Sequence, residues 1–444
     1  MIPIRNLANV AGVRRWRSRT ELRAHQERAV RALVRHAYDR VPHYRELFDR
    51  AGFRPDQLRT LDDVARVPFT GKDDLRGQPP ERVLAAGSDV RKLKRLQTTG
   101  SSGQPLIIYR SRVEDWIAKL RWYRIQREAG QRLGDRAVQI ANVGNAGASR
   151  GLLSQITGAL GLSNVMVDVS QDADAILDKV LAARPAVLVG YPGILARLGE
   201  DYRRSGRSDL RPRGLVAGGE VMTDARRRQI LESFDAPVFE LYACWEAGPL
   251  AFQCKTSRLL HLCADGAILE VVQGNRHVAP GERGELVLTY LYNRTMPLIR
   301  YRLGDIVTLG PSICPCGQPF ATVSAVQGRM FDFFRLPSGR LLHPYEIALR
   351  LEKEPWYKQY QLVQEREDLI RIYIEPGAGF SAEQLAAFEQ RVLGVLDGEA
   401  RLVPSLVERI EPAPSGKFHI ARSLLDAGGV DDWYHSAPAE RDLS

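Results

Sequence analysis

The sequence predicts an α/β protein of more than one domain, with a large N-terminal domain of mixed and parallel sheets with flanking helices and a small C-terminal α+β domain. Three observations lead to this prediction. A chain of 444 residues is too long for one hydrophobic core. Short apolar segments alternate with helical ones between residues 137 and 242, which is typical of a parallel sheet covered by helices. The order of segments changes after residue 328.

The large domain is predicted at residues 1–328 and includes a helical N-terminal region, residues 1–80. Apolar residues at helical spacing indicate the helices of this region, and they include Leu22, Leu33 and Ala37. A further helix is predicted at residues 112–128.

The central segments predict the sheet on which a ligand should bind. Strands are predicted at residues 137–141, 186–190, 214–217 and 238–242, helices at 172–184, 193–203 and 223–233, and two antiparallel strands at 267–272 and 284–289. Open sheets with parallel strands bind ligands at the carboxyl ends of those strands. The residues that follow the strands are therefore the first candidates for a site.

The small domain is predicted at residues 329–444. Its expected elements are a helix at 344–353, strands near 358–364 and 368–374, a helix at 381–396 and a strand near 403–410. This order is typical of an α+β domain.

The composition is that of an ordinary globular protein, with 44% hydrophobic and 26% charged residues. No apolar run is long enough to span a bilayer, and the N-terminus lacks the apolar stretch of a secretory signal, so we expect a cytoplasmic protein without a membrane partner. The formal net charge is +10. Because the basic residues are interspersed with 53 acidic ones and no nucleic-acid motif is found, we expect no nucleic-acid partner.

A loop rich in glycine and hydroxyl groups, TTGSSGQP at residues 98–105, precedes a new strand. Glycine lets a ligand approach the main chain, and successive amides and hydroxyls can donate to phosphate oxygens. The Gly-Lys-Ser/Thr ending of a Walker A loop is missing. By itself the loop is equally typical of a flexible connector, so both interpretations stay open at this point.

Two strand ends carry unusual turns. A Gly-Gly-Glu turn, residues 218–220, could let a flat ring lie against bare main chain. The sequence YACWEAG, residues 242–248, supplies an aromatic side chain, Tyr242, and a carboxylate, Glu246. Each turn is also compatible with an ordinary strand-to-helix connection, with Glu246 near a helix N-terminus.

Three further motifs follow along the chain. The segment PLIRYRLGD, residues 297–305, ends in Asp305, a carboxylate suited to bind two neighbouring hydroxyls. Gly328 and Arg329 precede the small domain, and Lys417 lies on a Ser-Gly-Lys turn. Such a turn alone usually marks a solvated loop, so its weight comes from the company of the other motifs.

In this order the motifs resemble those of the adenylate-forming superfamily of acyl-CoA synthetases, and within it the phenylacetate-CoA ligase-like branch that includes the CapK-type proteins. Two N-terminal segments add to the resemblance. VPHYR at residues 41–45 and VPFTGKDDL at residues 67–75 are similar to the opening of that branch. The resemblance extends over nearly the whole chain.

The resemblance implies an ATP-dependent ligase that activates a carboxylic acid as an acyl-adenylate, releases pyrophosphate and passes the acyl group to the thiol of CoA. It also implies a mobile small domain that closes over the site for the first step. The residues that match the ATP- and AMP-binding motifs of the family are Thr98, Thr99, Gly100, Ser101, Ser102, Gly103, Gly218, Gly219, Glu220, Tyr242, Asp305, Arg329 and Lys417.

Three residues are expected to act in catalysis. Lys417 would meet the charge that develops on the α-phosphate, Glu246 would help to hold Mg²⁺, and Arg329 would reach the nucleotide. The expected partners are a small carboxylic acid, ATP, and CoA or another acyl acceptor, while a homodimer stays open. A nucleotide-binding protein without catalysis is disfavoured, because Glu246, Asp305 and Lys417 are all present.

Two residues depart from the family pattern. Trp245 occupies a position where many relatives have Ser or Thr, and Phe331 stands at the first Asp position of the hinge motif. The indole could line an acyl pocket for an aryl acid together with Asn142, Ala243 and Gly248. Because the altered hinge bears on thioester formation, a rival stays open in which an amine or hydroxyl accepts the acyl group, as in capsule or natural-product biosynthesis.

The cysteines predict a second site. Cys254 lies seven residues before His261, and Cys314 and Cys316 form a Cys-Pro-Cys-Gly turn. Three thiolates and an imidazole suit a closed tetrahedral zinc site, and the resembled branch commonly has cysteines and a histidine at these places. Buried free thiols are the alternative. We expect structural zinc here, and we assign the other two cysteines to packing.

Overall fold

The computed structural model describes residue 10 and residues 16–97, 106–141, 164–329, 334–342, 344–351, 356–377, 379–410 and 420–425. Within them, the α-helices are α1 (Arg19–Arg40), α2 (Pro42–Arg50), α3 (Lys72–Leu75), α4 (Pro80–Val83), α5 (Arg112–Glu128), α6 (Ala173–Ala183), α7 (Pro192–Arg204), α8 (Asp224–Ser233), α9 (Pro344–Leu351) and α10 (Ala382–Leu396). Short 3₁₀ helices lie at Pro55–Gln57, Leu61–Arg66 and Val90–Lys92. None of the described helices combines the length and the apolar character needed to cross a membrane.

The strands are β1 (Lys94–Gln97), β2 (Ile107–Arg110), β3 (Ala137–Ala141), β4 (Asn164–Asp168), β5 (Val187–Gly190), β6 (Gly214–Gly218), β7 (Val238–Cys244), β8 (Gly248–Gln253), β9 (Leu260–Leu262), β10 (Ala267–Gln273), β11 (Arg276–His277), β12 (Arg283–Tyr290), β13 (Tyr301–Leu309), β14 (Thr322–Arg329), β15 (Phe334–Arg335), β16 (Leu341–Leu342), β17 (Tyr357–Arg366), β18 (Leu369–Pro376), β19 (Arg401–Leu406) and β20 (Ala421–Ser423).

A twelve-stranded sheet forms the main body of the protein, in the order β11-β10-β12-β13-β14-β9-β8-β7-β6-β5-β3-β4. The strands from β4 to β7 pair in parallel. Every pairing from β7 to β11 is antiparallel. The predicted fold class, a mixed sheet with flanking helices and a smaller α+β part, is confirmed.

The sequence patterns did not reveal every strand of this sheet, and the strands missed are β4, β8, β9, β11, β13 and β14. Strand β8 begins with Gly248 and Pro249, two residue types that disfavour strands. Strand β4 is the last strand of the sheet, and its Val165 and Met166 are exposed, so its apolar residues do not mark a buried face. In both strands the sheet itself, rather than local preference, determines the structure.

Helices α6, α7 and α8 pack with strands β3, β5 and β6 in one core, where Leu188, Leu195 and Leu215 are fully buried. Helix α7 approaches α8 very closely at Gly199. A Cβ on this glycine would lie 2.4 Å from the Cβ of Ser233. Any side chain at this position would therefore push the two helices apart.

The helical N-terminal region is attached to the segment that leads into β13. The hydroxyl of Tyr44 donates to the carbonyl of Pro297 (2.9 Å). Thr70 forms a short parallel bridge with Tyr301. Both N-terminal motifs found in the sequence therefore hold the segment that continues to Asp305.

A separate four-stranded sheet, in the order β19-β18-β17-β20, forms the C-terminal part. Helix α10 begins after Ser381, whose hydroxyl accepts a hydrogen bond from the amide of Gln384 (3.3 Å). Trp356 and Phe388 are fully buried in the core between this sheet and its helices. The main sheet ends with β14 at Arg329, so the change of sheet falls at the predicted boundary, while the division into two domains stays a prediction.

Candidate active site

The Gly-Gly-Glu turn is held by its neighbours. A Cβ on Gly218 would lie 2.5 Å from the carbonyl oxygen of Leu241 on β7, so the adjoining strand requires glycine at this position. Gly219 has a left-handed φ of 85°. The carboxylate of Glu220 accepts a hydrogen bond from the amide of Gly193 (3.0 Å) in the first turn of α7. The turn is therefore fixed by its own protein contacts.

Tyr242 and Asp305 meet, although their strands β7 and β13 are not neighbours in the sheet. The Tyr242 hydroxyl donates to Oδ2 of Asp305 (2.5 Å). Asp305 is buried, with only 8% of the residue exposed. The main chain of Asp305 lies opposite that of Arg329 across β13 and β14. Three residues that the sequence predicts at the nucleotide are therefore close together.

Glu246 lies in a turn between two antiparallel strands. β7 ends at Cys244, which pairs with Gly248 at the start of β8. The alternative of a helix N-terminus at Glu246 is therefore wrong. Glu246 is buried, with 7% of the residue exposed. We call residues 245–247 the Glu246 turn.

Two buried arginines hold the Glu246 turn through its carbonyl groups. One nitrogen of Arg110, Nη2, donates to the carbonyls of Trp245 (3.1 Å) and Glu246 (2.9 Å). Arg121 of α5 donates to two further carbonyls within residues 247–249. Because each guanidinium binds main-chain carbonyls, the turn is fixed independently of its side chains.

Sequence reasoning missed Arg110 and Arg121. A signal was present for Arg121, because it lies four residues from both Ile117 and Ile125, which are buried on the same helix. Residues at this spacing share a helix face, so periodicity places Arg121 on the buried side. Arg110 is the last residue of the short strand β2 and has no such signal.

Several predicted residues lie outside the described residues, namely Thr98, Thr99, Gly100, Ser101, Ser102, Gly103, Asn142, Phe331 and Lys417. The strands on either side of the glycine-rich loop are described, and Gln97 of β1 pairs antiparallel with Ile107 of β2. The loop at residues 98–105 therefore connects the two strands of a hairpin.

The residues predicted at the acyl pocket surround the same turn. Ala243 and Trp245 are half-buried, and Gly248 has a φ of 74°. A Cβ on Gly248 would lie 3.5 Å from Nε1 of Trp122, so this indole borders the predicted pocket. Burial, and then the charge of Glu246, raise the pKa of the Cys244 thiol well above its ordinary value. Cys244 is therefore a neutral thiol, as expected of a packing residue.

The predicted metal ligands converge into one group, which we call the Cys/His cluster: Cys254, His261, Cys314 and Cys316. Their ligand atoms all lie within 4.8 Å of one another. The sulfurs of Cys254 and Cys314 are 3.6 Å apart, and Nε2 of His261 is 3.2 Å from the sulfur of Cys316. Tetrahedral zinc with bonds of about 2.3 Å places sulfurs about 3.8 Å apart, so this donor set fits zinc.

The surroundings of the Cys/His cluster favour a thiolate at Cys254, whereas burial raises the pKa of the Cys316 thiol to about 11. Burial opposes ionisation of Cys254, but hydrogen bonds from the hydroxyl and the amide of Thr256 outweigh it and lower the pKa of the thiol to about 5. The amide of Gln318 donates to the sulfur of Cys316 (3.5 Å). Amide donors of this kind support metal-bound sulfur.

A shallow, open cleft lies between the main body and the C-terminal part. Glu220 and Arg226 line one side, and Tyr357 and Ile420 line the other. Near the cleft, Gln229 of α8 donates to the carbonyl of Lys358 (3.1 Å). Glu220 of the Gly-Gly-Glu turn therefore lines the same cleft as Ile420, which lies three residues after Lys417 in the sequence.

Comparison with known proteins gives a consistent result. No family model matches the chain. It is 30% identical over 422 residues to a phenylacetate-coenzyme A ligase of Thermus thermophilus, covering 93% of this chain and 91% of that protein. It is 23% identical over 326 residues to protein CapK of Staphylococcus aureus, covering 71% and 70% of the two chains. Its fold is similar to that of 2-hydroxyisobutyryl-CoA ligase in the postadenylation state, with a TM-score of 0.74, 23% identity, and coverage of 91% and 89%.

Proposed function

Because the chain belongs to the phenylacetate-coenzyme A ligase family of adenylate-forming enzymes, we propose that it activates a carboxylic acid with ATP and transfers the acyl group to CoA. The protein is an AMP-forming ligase. The observation within the site that best supports the proposal is the hydrogen bond between Tyr242 and Asp305, which joins two predicted nucleotide residues from separate strands.

The reaction has two steps. In the first, a carboxylate oxygen of the acid attacks the α-phosphorus of ATP, and the bond from that phosphorus to the departing pyrophosphate breaks. In the second, the sulfur of CoA attacks the acyl carbon, the thiol proton passes to solvent, and AMP leaves with the electrons of the broken C–O bond. Because both reactants of the first step are anions, the site must compensate their repulsion.

The described residues suggest how the nucleotide is held. The adenine would lie against the Gly-Gly-Glu turn with Tyr242 at its face, and Asp305 would accept hydrogen bonds from the ribose hydroxyls. The Tyr242 hydroxyl already fixes one carboxylate oxygen of Asp305, so the carboxylate is oriented in advance. Arg329, opposite Asp305 on β14, would reach the same nucleotide.

Glu246 is the residue that would help to hold Mg²⁺. Carboxylate oxygen is a ligand that this ion prefers, and the turn that carries Glu246 is fixed by two arginines. When bound, Mg²⁺ supplies positive charge at the phosphate oxygens. We assign to Lys417 the charge that develops on the α-phosphate, and to residues 98–103 the departing phosphates.

We propose an aryl acid as the substrate class. The half-buried Trp245 and the nearby Trp122 offer flat apolar faces beside the turn that follows β7. A flat ring packs well against indole, whereas a long alkyl chain needs a tunnel. This choice is testable separately from the reaction type.

We further propose that the Cys/His cluster binds one structural zinc ion. Four protein ligands close the coordination sphere, which leaves no position for a substrate. A cytoplasmic location, as expected from the sequence, would keep the thiols reduced. Elemental analysis of purified protein should find close to one zinc per chain, and a metal-free folded protein would contradict the assignment.

The decisive experiment is a screen of carboxylic acids with ATP and Mg²⁺, with and without CoA, in which pyrophosphate is measured and acyl-adenylate and thioester are identified by mass. We expect pyrophosphate release to depend on an aryl acid and thioester to require CoA. Lys417→Ala should reduce adenylation by about 10²- to 10³-fold while ATP binding changes little. No pyrophosphate with any acid, from folded protein, would refute the ligase assignment.

The same screen tests the rival acceptor. If acyl-adenylate forms but CoA yields no thioester, amines and hydroxyl compounds are added in its place. An amide or ester product would support the alternative function, in which an amine or hydroxyl accepts the acyl group, that Phe331 in the hinge motif left open.

A further inference from the structure

Arg110 ends the hairpin that carries the glycine-rich loop. It is the last residue of β2, and it pairs with Lys94 at the other end of the hairpin from that loop. Its side chain leaves the hairpin and donates to the carbonyls of Trp245 and Glu246. A single side chain therefore connects the hairpin of the predicted phosphate loop with the turn of the predicted Mg²⁺ ligand.

The environment of Arg110 is unusual for a cation. The residue is only 5% exposed, and its guanidinium lies 6.0 Å from the ring centre of Tyr290. Its Nε is buried, and within the described part of the chain no acceptor binds it. Burying a guanidinium is unfavourable, so its presence at this position needs an explanation in structure or function.

Arg124 provides a contrast within the same region. It is also buried, but it forms an ion pair with Asp265 (2.5 Å), and its described hydrogen bonds include none to a carbonyl of the Glu246 turn. Arg95 is a second contrast. It lies on β1 of the same hairpin, is exposed, and packs against Tyr109.

The hydrogen bonds of Arg110 couple a movement of the hairpin to a movement of the Glu246 turn. They are 2.9 Å and 3.1 Å long, so a shift of the hairpin by about 1 Å relative to the turn breaks them. The hairpin therefore cannot change its position without moving the Glu246 turn or losing both bonds.

We propose that Arg110 is a positioning residue that fixes the Glu246 turn against strand β2, so that the Glu246 carboxylate is placed for the Mg²⁺ that accompanies ATP. This inference rests on the proposed function, because it requires Glu246 to act on the Mg²⁺-bound nucleotide. It predicts that Arg110 serves adenylation and has little part in thioester formation.

The test compares Arg110→Met and Arg110→Lys with two matched controls in the full-length protein. Arg95→Met removes a positive charge from the same hairpin without touching the turn. Arg124→Lys shortens another buried arginine. For each protein we would measure the calorimetric affinity for a non-hydrolysable ATP analogue with Mg²⁺ and with EDTA, acid-dependent pyrophosphate exchange, thioester formation from added acyl-adenylate and CoA, and the Tm.

For Arg110→Met we expect pyrophosphate exchange to fall about 10²-fold, since misplacement by about 1 Å has effects of this size. The affinity gained on adding Mg²⁺ should fall about tenfold, whereas the affinity in EDTA should stay within about twofold. Thioester formation should also stay within about twofold. Arg110→Lys should lie between the wild type and Arg110→Met, because its nitrogen reaches one bond less far.

Arg95→Met should match the wild type in every binding and kinetic measurement, and Arg124→Lys should lower only the Tm. If Arg110→Lys and Arg110→Met reduce both half-reactions equally, or leave the effect of Mg²⁺ on affinity unchanged, the proposal is wrong. Absence of pyrophosphate exchange in the wild type would refute the proposed function instead, and the calorimetric comparison would still decide the role of Arg110.

Discussion

The Glu246 turn and the Cys/His cluster lie at opposite ends of the same strand, β8, and they are held in different ways. The turn precedes Gly248, and Cys254 follows Gln253. Two guanidinium groups bind the carbonyls of the turn. The cluster instead brings three sulfurs and an imidazole together, and within the described residues no lysine or arginine donates a hydrogen bond to them. The first region is held by protein groups, whereas we propose that the second requires a metal ion.

From this difference we expect substitutions in the Glu246 turn to affect catalysis and substitutions in the Cys/His cluster to affect the stability of the fold. A turn with satisfied carbonyls keeps its shape when a side chain changes, so substitutions there should affect catalysis more than folding. Thiolates that share a small volume repel one another, so the cluster should stabilise the fold only with its ion.

The largest expected effect is on stability, at the Cys/His cluster. Cys314→Ser should lose zinc and lower the Tm by roughly 10 °C or more, because structural zinc supplies folding free energy directly. Cys263→Ser is the matched control, since Cys263 is buried but lies outside the cluster. Differential scanning calorimetry with elemental analysis checks both. Full zinc content in Cys314→Ser would remove the contrast between the two regions.

The next effect is on catalysis, at the Glu246 turn. Glu246→Gln should reduce adenylation by about 10²-fold or more and shift the Tm by no more than about 2 °C, because the carbonyl hydrogen bonds of the turn remain. Glu270→Gln is the contrast. It breaks the buried pair with Arg300, so it should lower the Tm with little loss of adenylation. Equal Tm losses in the two variants would show that the turn is not independent of its carboxylate.

A smaller effect is expected at Tyr242. Tyr242→Phe keeps the ring but removes the hydrogen bond to Asp305, so the KM for ATP should rise roughly tenfold with kcat nearly unchanged. Tyr202→Phe also loses a hydrogen bond, the one accepted from the amide of Leu210, and should leave the KM for ATP as it is. Steady-state kinetics decides, and a change in kcat alone would argue against orientation of Asp305.

The smallest effect is a pH dependence beside the arginines. His25 is buried and its Nε2 lies 3.1 Å from the carbonyl of Asp265, the residue that pairs with Arg124. Burial lowers the pKa of His25 below its ordinary 6.5. The unfolded chain therefore binds the proton more readily, so stability is complete above about pH 6.5 and falls as the pH drops below it.

We expect the Tm of the wild type to fall by a few degrees, about 2–4 °C, more than that of His25→Gln between pH 7.5 and 5.5. The cluster is also sensitive to acid, but it is the same in both proteins, so the difference isolates His25. Parallel melting curves over this range would leave the pH dependence to the cluster alone.

The fold could be predicted from the sequence where periodicity is strong. The alternation around Val187–Gly190 and Gly214–Gly218 indicated the parallel strands, because buried strands and amphipathic helices differ in period. Strand β8 could not be found, since its Gly-Pro start argues against a strand and only the neighbouring strands β7 and β9 stabilise it.

The site was partly predictable for a different reason. Cys254 and Cys314 are 60 residues apart, yet the Cys-x-Cys turn indicated that they would meet, and they do. That zinc binds there stays a prediction. The burial of Arg110 could not be predicted, because a cation at the end of a strand is usually solvated and only tertiary packing shows that this one is buried.

Strand β14 adds a mechanical consequence. Its first residue, Thr322, pairs with His261 of the Cys/His cluster, and its last, Arg329, lies opposite Asp305 where the proposed domain boundary begins. Eight residues of strand span about 25 Å. If the small domain rotates at Arg329, strand β14 bears the force of that rotation, and its other end pairs with a residue of the Cys/His cluster. The proposed zinc ion would then contribute to the reaction cycle from a distance, because it would keep the start of β14 in place while the small domain rotates.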